Sequence, residues 1–395
     1  MSKHLAFVVG PGAGHVNPTL PLVEELVARG HRVTYLTGEP FRAAVTAAGA
    51  TALELPWDAP RPPAGPAVRS MGESFGAVVR GLQRHAQESF ASAVAHFQPD
   101  PPDVVCYDMV APLGALLADR LAVPGVLLAP SMVGNEHFST RSLLGPPDDD
   151  GVLDRVFAEA VESDIRFRRA NSLPDPVAPL PAFGSAAVLT LVFVPREFQI
   201  AGDTFDDTHL FLGPSLGTRA ARGGWTPPSD GSPVLFVSLG TGFNERPEFF
   251  EQCVAAFRDS RWHVVMAVGD RVRMAEVPAN FEVAPFFPQL SVLAHTTVFL
   301  SHTGMNSTME ALYHGVPLVS VPQMPEQAVN GDRVRELGLG RRLDSTAITA
   351  RLLRETVDEV AVDPVIRANV TAFGQRLRAV NGAVLGADAL ERLLA

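Results

Sequence analysis

The chain has 395 residues, 46% of them hydrophobic, and its 32 Lys plus Arg against 43 Asp plus Glu give a formal charge of −11 at pH 7. That length suits two domains, and that apolar content argues against global disorder. An acidic balance with no basic run excludes nucleic acid as a partner, and two cysteines, Cys106 and Cys253, exclude a disulfide framework or a cysteine zinc site.

In chain order, residues 4–9 read as a short buried strand and are followed by the loop GPGAGH. A helix is expected from about Pro18 to Arg29, with Asn17 as N-cap, Pro18 in the first position and Gly30 just past the end. A strand at 32–37 and a short helix at 41–48 come next. Residues 71–97 form a long amphipathic helix, with Phe75, Val78, Val79, Leu82, Ala86, Phe90, Ala93 and Phe97 on one face. Strands at 103–107 and 125–129 flank a helix at 113–121. This alternation predicts a parallel sheet with helices on both faces. The stretches 56–66 and 134–151 read as long loops.

The segment 213–233 is rich in Gly, Pro and Ser and marks a linker. The pattern then restarts, with strands near 234–239, 263–268, 297–300 and 317–321 and helices near 246–258, 305–313, 326–337 and 349–360. Residues 364–394 read as helical, interrupted at Asn381-Gly382. Two doubly wound α/β halves imply a central cleft at the carboxyl ends of both sheets. The most apolar segment, near 111–133, carries Asp119-Arg120 and prolines, and the amino-terminal apolar run is too short for a leader. A cytoplasmic protein without membrane insertion is expected.

GPGAGH fails the dinucleotide fingerprint, which needs glycine where His15 stands. A histidine there is structural about as often as it is chemical. At the carboxyl end of the first strand it favours a general base. A helix N-terminus disfavours its charged form by ~0.3–1 kcal/mol, and a nearby carboxylate would orient the ring. Asp108, ending DVVCYD, suits that role and equally suits a helix cap. VSLGTGF at 237–243 and SHTGMNST at 301–308 each turn from a strand into glycine and small hydroxyl residues. Ser307 and Glu310 have capping-box spacing, whereas the whole cluster suits a diphosphate at an open helix end. Asp148-Asp149-Asp150 has D-x-D spacing but reads better as a solvated turn, and no zinc-type histidine pair or Gly-x-Ser-x-Gly elbow occurs.

The stretch FFPQLSVLAHTTVFLSHTGMNSTMEALYHGVPLVSVPQMPEQ, 286–327, resembles the donor signature of GT-B nucleotide-sugar glycosyltransferases, UDP-glycosyltransferase superfamily, most closely the macrolide and natural-product branch. The resemblance spans nearly the whole chain and implies a GT-B fold of two Rossmann-like domains facing a central cleft. An acceptor domain is expected at 1–214, a linker at 215–233, a donor domain at 234–375 and a helix at 376–395 packing back on the first domain.

By this resemblance His15 is the base and Asp108 its partner. Phe286 stacks on the nucleobase where the family usually has Trp, and Gln289 lies close to the base. His302, Gly304, Asn306, Ser307 and Thr241 meet the diphosphate, Glu310 the ribose, and Glu326-Gln327 the sugar hydroxyls. Met305 stands where plant members have Trp. Trp57, Met71, Phe75, Met132 and Phe138 are candidates for an apolar acceptor site.

The implied reaction is inverting transfer of a hexose, UDP-glucose favoured, to a hydroxyl of a macrolide, polyketide or flavonoid. It needs no metal or cofactor beyond the nucleotide-sugar co-substrate. A dTDP-deoxysugar donor is the nearest alternative. A nucleotide-sugar epimerase, an inactive auxiliary protein and an NAD-dependent oxidoreductase follow in that order. The partners are two small molecules, and a homodimer is left open.

Overall fold

Short apolar runs buried on both faces make parallel strands rather than alternating ones. In a computed structural model, which describes residues 2–54, 71–144, 151–176, 187–221, 223–242 and 244–395, the first such run is β1 (His4–Val8), buried throughout. Helix α1 (Ala13–Ala28) follows and begins at Ala13, not at Pro18. Gly12 is its N-cap, and the Gly12 carbonyl accepts the His15 and Val16 amides at 2.9 Å each. Pro18 and Pro21 lie inside the helix with their rings buried, so apolar packing outweighs two missing amide bonds.

The unit continues through β2 (Arg32–Thr37), α2 (Arg42–Ala47), β3 (Thr51–Glu54), α3 (Met71–Phe97), β4 (Val104–Asp108), α4 (Pro112–Leu121) and β5 (Gly125–Ala129). Next come α5 (Val152–Ala170), β6 (Leu189–Val192) and β7 (His209–Phe211). Among the described residues the sheet order is β3-β2-β1-β4-β5-β6-β7, with every pair parallel. One core on this sheet gathers Leu5, Phe7, Leu22, Leu26 and Tyr35, and the other gathers Val8, Phe90, Phe97, Leu113 and Leu117.

The second unit starts with β8 (Val234–Ser238), α6 (Pro247–Phe257), β9 (His263–Ala267) and β10 (Phe281–Ala284). It goes on through α7 (Gln289–Leu293), β11 (Thr296–Ser301), α8 (Met305–Tyr313), β12 (Leu318–Ser320), α9 (Pro325–Glu336), β13 (Gly340–Arg342), α10 (Ala350–Val362) and α11 (Pro364–Ala379). Its described strands order as β10-β9-β8-β11-β12-β13, again all parallel. Phe236 and Phe299 stack across the β8–β11 pair at 4.8 Å.

The first unit comprises Met1–Gly217 with Asn381–Ala395, and the second Thr218–Val380. The returning helix α12 (Gly382–Leu393) places Ala387, Ala389 and Leu390 in the same core as Leu22 and Leu212. Arg29, the C-cap of α1, meets Glu25, Asp388 and Glu391, and His31 meets Glu391 at 2.9 Å. No described helix is long and apolar enough to cross a membrane. The Trp57 and Asp148-Asp149-Asp150 readings, and that of the Met71 side chain, lie outside the described residues.

Candidate active site

In each sheet the chain order reverses beside one central strand. After β1 the chain adds β2 and β3 on one side, and β4 then pairs on the other. The carboxyl ends of β1 and β4 therefore open on a topological switch point, where open α/β sheets bind ligands. Two of the candidate residues stand there.

His15 is in the first turn of α1, rather than before the helix, and its Nδ1 lies 2.8 Å from Asp108 Oδ2 and 3.1 Å from Oδ1. The Asp108 side chain is wholly buried and that of His15 is one-third exposed. Asp108 is not a helix cap: α4 has Ala111 at its N-cap, with no side-chain bond. Instead Asp108 Oδ1 accepts the Val110 amide at 2.8 Å, which fixes the carboxylate plane against the ring. Nδ1–H donating to this carboxylate puts the lone pair of the neutral imidazole on Nε2. Behind the pair, Tyr35 is enclosed, bonded to Thr19 at 2.7 Å, and its phenol is pushed up by burial. A Cβ on Gly12 would come within 3.2 Å of His15 Cδ2, so the absence of a side chain there gives the ring its room.

The second unit repeats the topology at β8 and β11. The turn after β8 holds Gly240, with φ 77°, and the exposed Thr241. The turn after β11 carries His302, whose ring lies between two glycines. A Cβ on Gly240 would sit 2.6 Å from Nε2, and one on Gly304 2.5 Å. Burial lowers the His302 imidazole to about 4, with the Ser238 backbone offsetting part of the effect, so the ring is neutral at pH 7. Its Nδ1 is buried without a hydrogen bond of good geometry. Helix α8 opens at Met305 with Gly304 as N-cap and no side-chain cap.

The capping box does not form. Ser307 is inside the helix, and Glu310 turns away from the backbone. Its buried carboxylate accepts Arg219 Nη2 at 3.0 Å, Asn306 Nδ2 at 3.1 Å and Gln289 Nε2 at 2.6 Å. Gln289 also reaches Ser307 Oγ at 3.2 Å. Four candidates are thus one bonded group. Phe286 is 61% exposed, presenting its ring outward from the same segment. Glu326 and Gln327 occupy the first turn of α9, where Gln327 Oε1 accepts the Gln323 amide at 2.8 Å.

Phe75 packs on Phe157 with ring centroids 6.1 Å apart, whereas Met132 and Phe138 are buried. An apolar acceptor surface through Met132 is therefore not presented as the side chain stands. The sequence reading missed Arg219, which sits in the expected linker, and the enclosed polar residues Ser301, Thr303, Ser320 and Asn330. Polar residues inside an apolar strand–turn stretch were the available signal for the first three.

Residues 254–381 match the family model of the erythromycin biosynthesis protein CIII-like C-terminal domain. Over 99% of this chain and 97% of its own length, the NDP-glycosyltransferase YjiC of Bacillus subtilis (strain 168) is 38% identical. The demethyllactenocin mycarosyltransferase of Streptomyces fradiae is 36% identical over 99% of this chain and 86% of its own. A crystal structure of the glycotransferase of kitacinnamycin superposes with a TM-score of 0.86 at 33% identity, covering 100% of both chains. Paired switch points, a histidine–carboxylate pair in one unit and an open helix end in the other thus come with full-length likeness, and the chain belongs to the GT-B nucleotide-sugar glycosyltransferases, in their macrolide and natural-product branch.

Proposed function

We propose that this glycosyltransferase moves a hexose from a nucleoside diphosphate sugar, UDP-glucose before others, to a hydroxyl of an apolar natural product such as a macrolide, polyketide or flavonoid. Transfer inverts the anomeric carbon and uses no metal. The observation that carries the reading is the His15–Asp108 pair, at 2.8 Å with the carboxylate wholly buried. Nε2 of His15 takes the acceptor proton as the acceptor oxygen attacks, and Asp108 stabilises the imidazolium that forms. The bond from the anomeric carbon to the diphosphate oxygen breaks on the opposite face. A single displacement of this kind inverts the centre.

The departing diphosphate gains charge, which His302, Thr241 and the first amides of α8 at Gly304, Asn306 and Ser307 stabilise. The exposed Phe286 ring offers the nucleobase a stacking face, beside Gln289. Glu310 already accepts three hydrogen bonds. A carboxylate has about four acceptor sites, so one is left for a ribose hydroxyl. Glu326-Gln327 suits a fully hydroxylated sugar. In this reading residues 1–214 take the acceptor and 234–375 the donor.

Calorimetric titration with UDP and with dTDP, both with EDTA present, tests the donor half. Tighter UDP binding supports UDP-glucose. Tighter dTDP binding moves the donor to a dTDP-deoxysugar, and binding of neither removes the diphosphate assignment. Incubation with UDP-glucose and a panel of apolar acceptors, with products weighed by mass spectrometry and the anomer assigned by NMR, tests the rest. Retention of configuration would overturn the single displacement.

A further inference from the structure

Among the described residues Thr303 alone is both β-branched and left-handed, with φ 59°. Such a residue is sterically costly there, and strain persists only where the surroundings over-determine it. Thr303 is wholly buried, as are Ser301, Ser320 and Asn330 around it. Its amide donates to Ser301 Oγ at 3.0 Å, and its carbonyl accepts Asn330 Nδ2 at 3.0 Å. Its Oγ1 lies 2.6 Å from Ser320 Oγ, 2.7 Å from the His302 carbonyl and 2.9 Å from the Gln327 carbonyl. A hydroxyl has one proton, so Thr303 accepts from Ser320 and shares its own proton between the His302 and Gln327 carbonyls.

The backbone on α9 comes in close enough to make these bonds only because residue 331 is glycine. A Cβ there would lie 2.3 Å from Ser320 Oγ. The strained φ falls between His302 and Gly304, the two residues that aim the imidazole and open the helix.

We propose that Thr303 and Asn330 are positioning residues for the donor diphosphate, holding the His302 turn in its left-handed form and tying it to the start of α9. This rests on reading the His302 turn as the diphosphate site. Because the Gln327 carbonyl is one of the acceptors, the residues assigned to the sugar and the imidazole assigned to the diphosphate share one buried tether.

The test is calorimetric titration of the full chain with UDP and uridine, and in parallel with dTDP and thymidine. Asn330→Ala should weaken the diphosphate by about tenfold or more while leaving the nucleoside within ~2-fold. Glycine adopts this backbone without strain. In a Thr303→Gly background, Asn330→Ala should therefore cost the diphosphate less than about 3-fold. Equal losses for diphosphate and nucleoside, no loss at all, or an undiminished loss in the glycine background would each overturn the proposal. If Asn330→Ala does not fold, Ser320→Ala removes one bond to Thr303 and carries the same expectation. His302→Ala separates the two layers: unchanged diphosphate binding there would sink the diphosphate reading itself, and the positioning claim with it.

Discussion

At the scale of single residues, the two candidate histidines stand in opposite settings. His15 is part-exposed and leans on a buried carboxylate, whereas His302 is enclosed and neutral. Replacing His15 by Ala should lower turnover by about 10²–10⁴-fold, the usual worth of a general base, with UDP affinity within ~2-fold. Asp108→Asn should cost a comparable factor. The Val110 amide claims the remaining carbonyl oxygen, so the new amide nitrogen faces Nδ1 and holds the wrong tautomer. Near-normal turnover in either variant, read by product release under saturating donor, would remove the base assignment.

His302 gives a stability signature. Its folded value is lowered from 6.5 to about 4, so the unfolded chain binds the proton first as pH falls. Stability is fully present above 6.5 and is lost between 6.5 and about 4, by on the order of 3 kcal/mol. Urea unfolding of His302→Gln should lack that part of the acid loss. Equal acid losses in wild type and variant would mean the ring is not held neutral by burial.

Elements were legible where apolar runs were long or helices strongly periodic. The expected strand at 32–37 and helix at 305–313 fall on β2 and α8. The sequence reading passed over β3, β6, β7, β10 and β13, short strands whose pairing is set by neighbours rather than by pattern. It also passed over α5, which starts just past the expected loop at 134–151 and whose charged residues hide its apolar stripe. The late start expected for α1 came from weighing Pro18 as a first-position residue, when the glycine at 12 already provides the cap. At the site, the glycines and small hydroxyl residues were visible in the sequence, but what they surround was not.

Gly304 shows the difference. Its backbone, φ −59° and ψ 140°, would accept any residue, and the three atoms nearest to a Cβ there all belong to the His302 ring. Gly304→Ala should destabilise by about 1–3 kcal/mol through overpacking, and in a His302→Ala background the same change should be nearly neutral. Chemical denaturation of the four proteins in that cycle checks it. An undiminished cost without the ring would assign the glycine to some other contact.

At the scale of the molecule, the first unit is closed by charge as well as by apolar packing. Arg29 gathers Glu25, Asp388 and Glu391 from two helices far apart in sequence. These side chains are partly solvated, so their worth is modest and falls with salt. Arg29→Met should lower the melting temperature by a few degrees in dilute buffer, and by less in ~1 M NaCl. A salt-independent drop would assign the loss to packing of the arginine stem.

The chain leaves the first unit at Gly217 and re-enters it at Asn381, so the second unit is an insertion within the first. On a ribosome this fixes an order of completion. The whole of Thr218–Val380 is synthesised before Ala387 and Leu390 exist to cover Leu22 and Leu212. A chain that stops short of residue 381 therefore carries all of the second unit but a first unit whose apolar flank at Leu22 and Leu212 is still uncovered, the kind of exposed surface that favours aggregation.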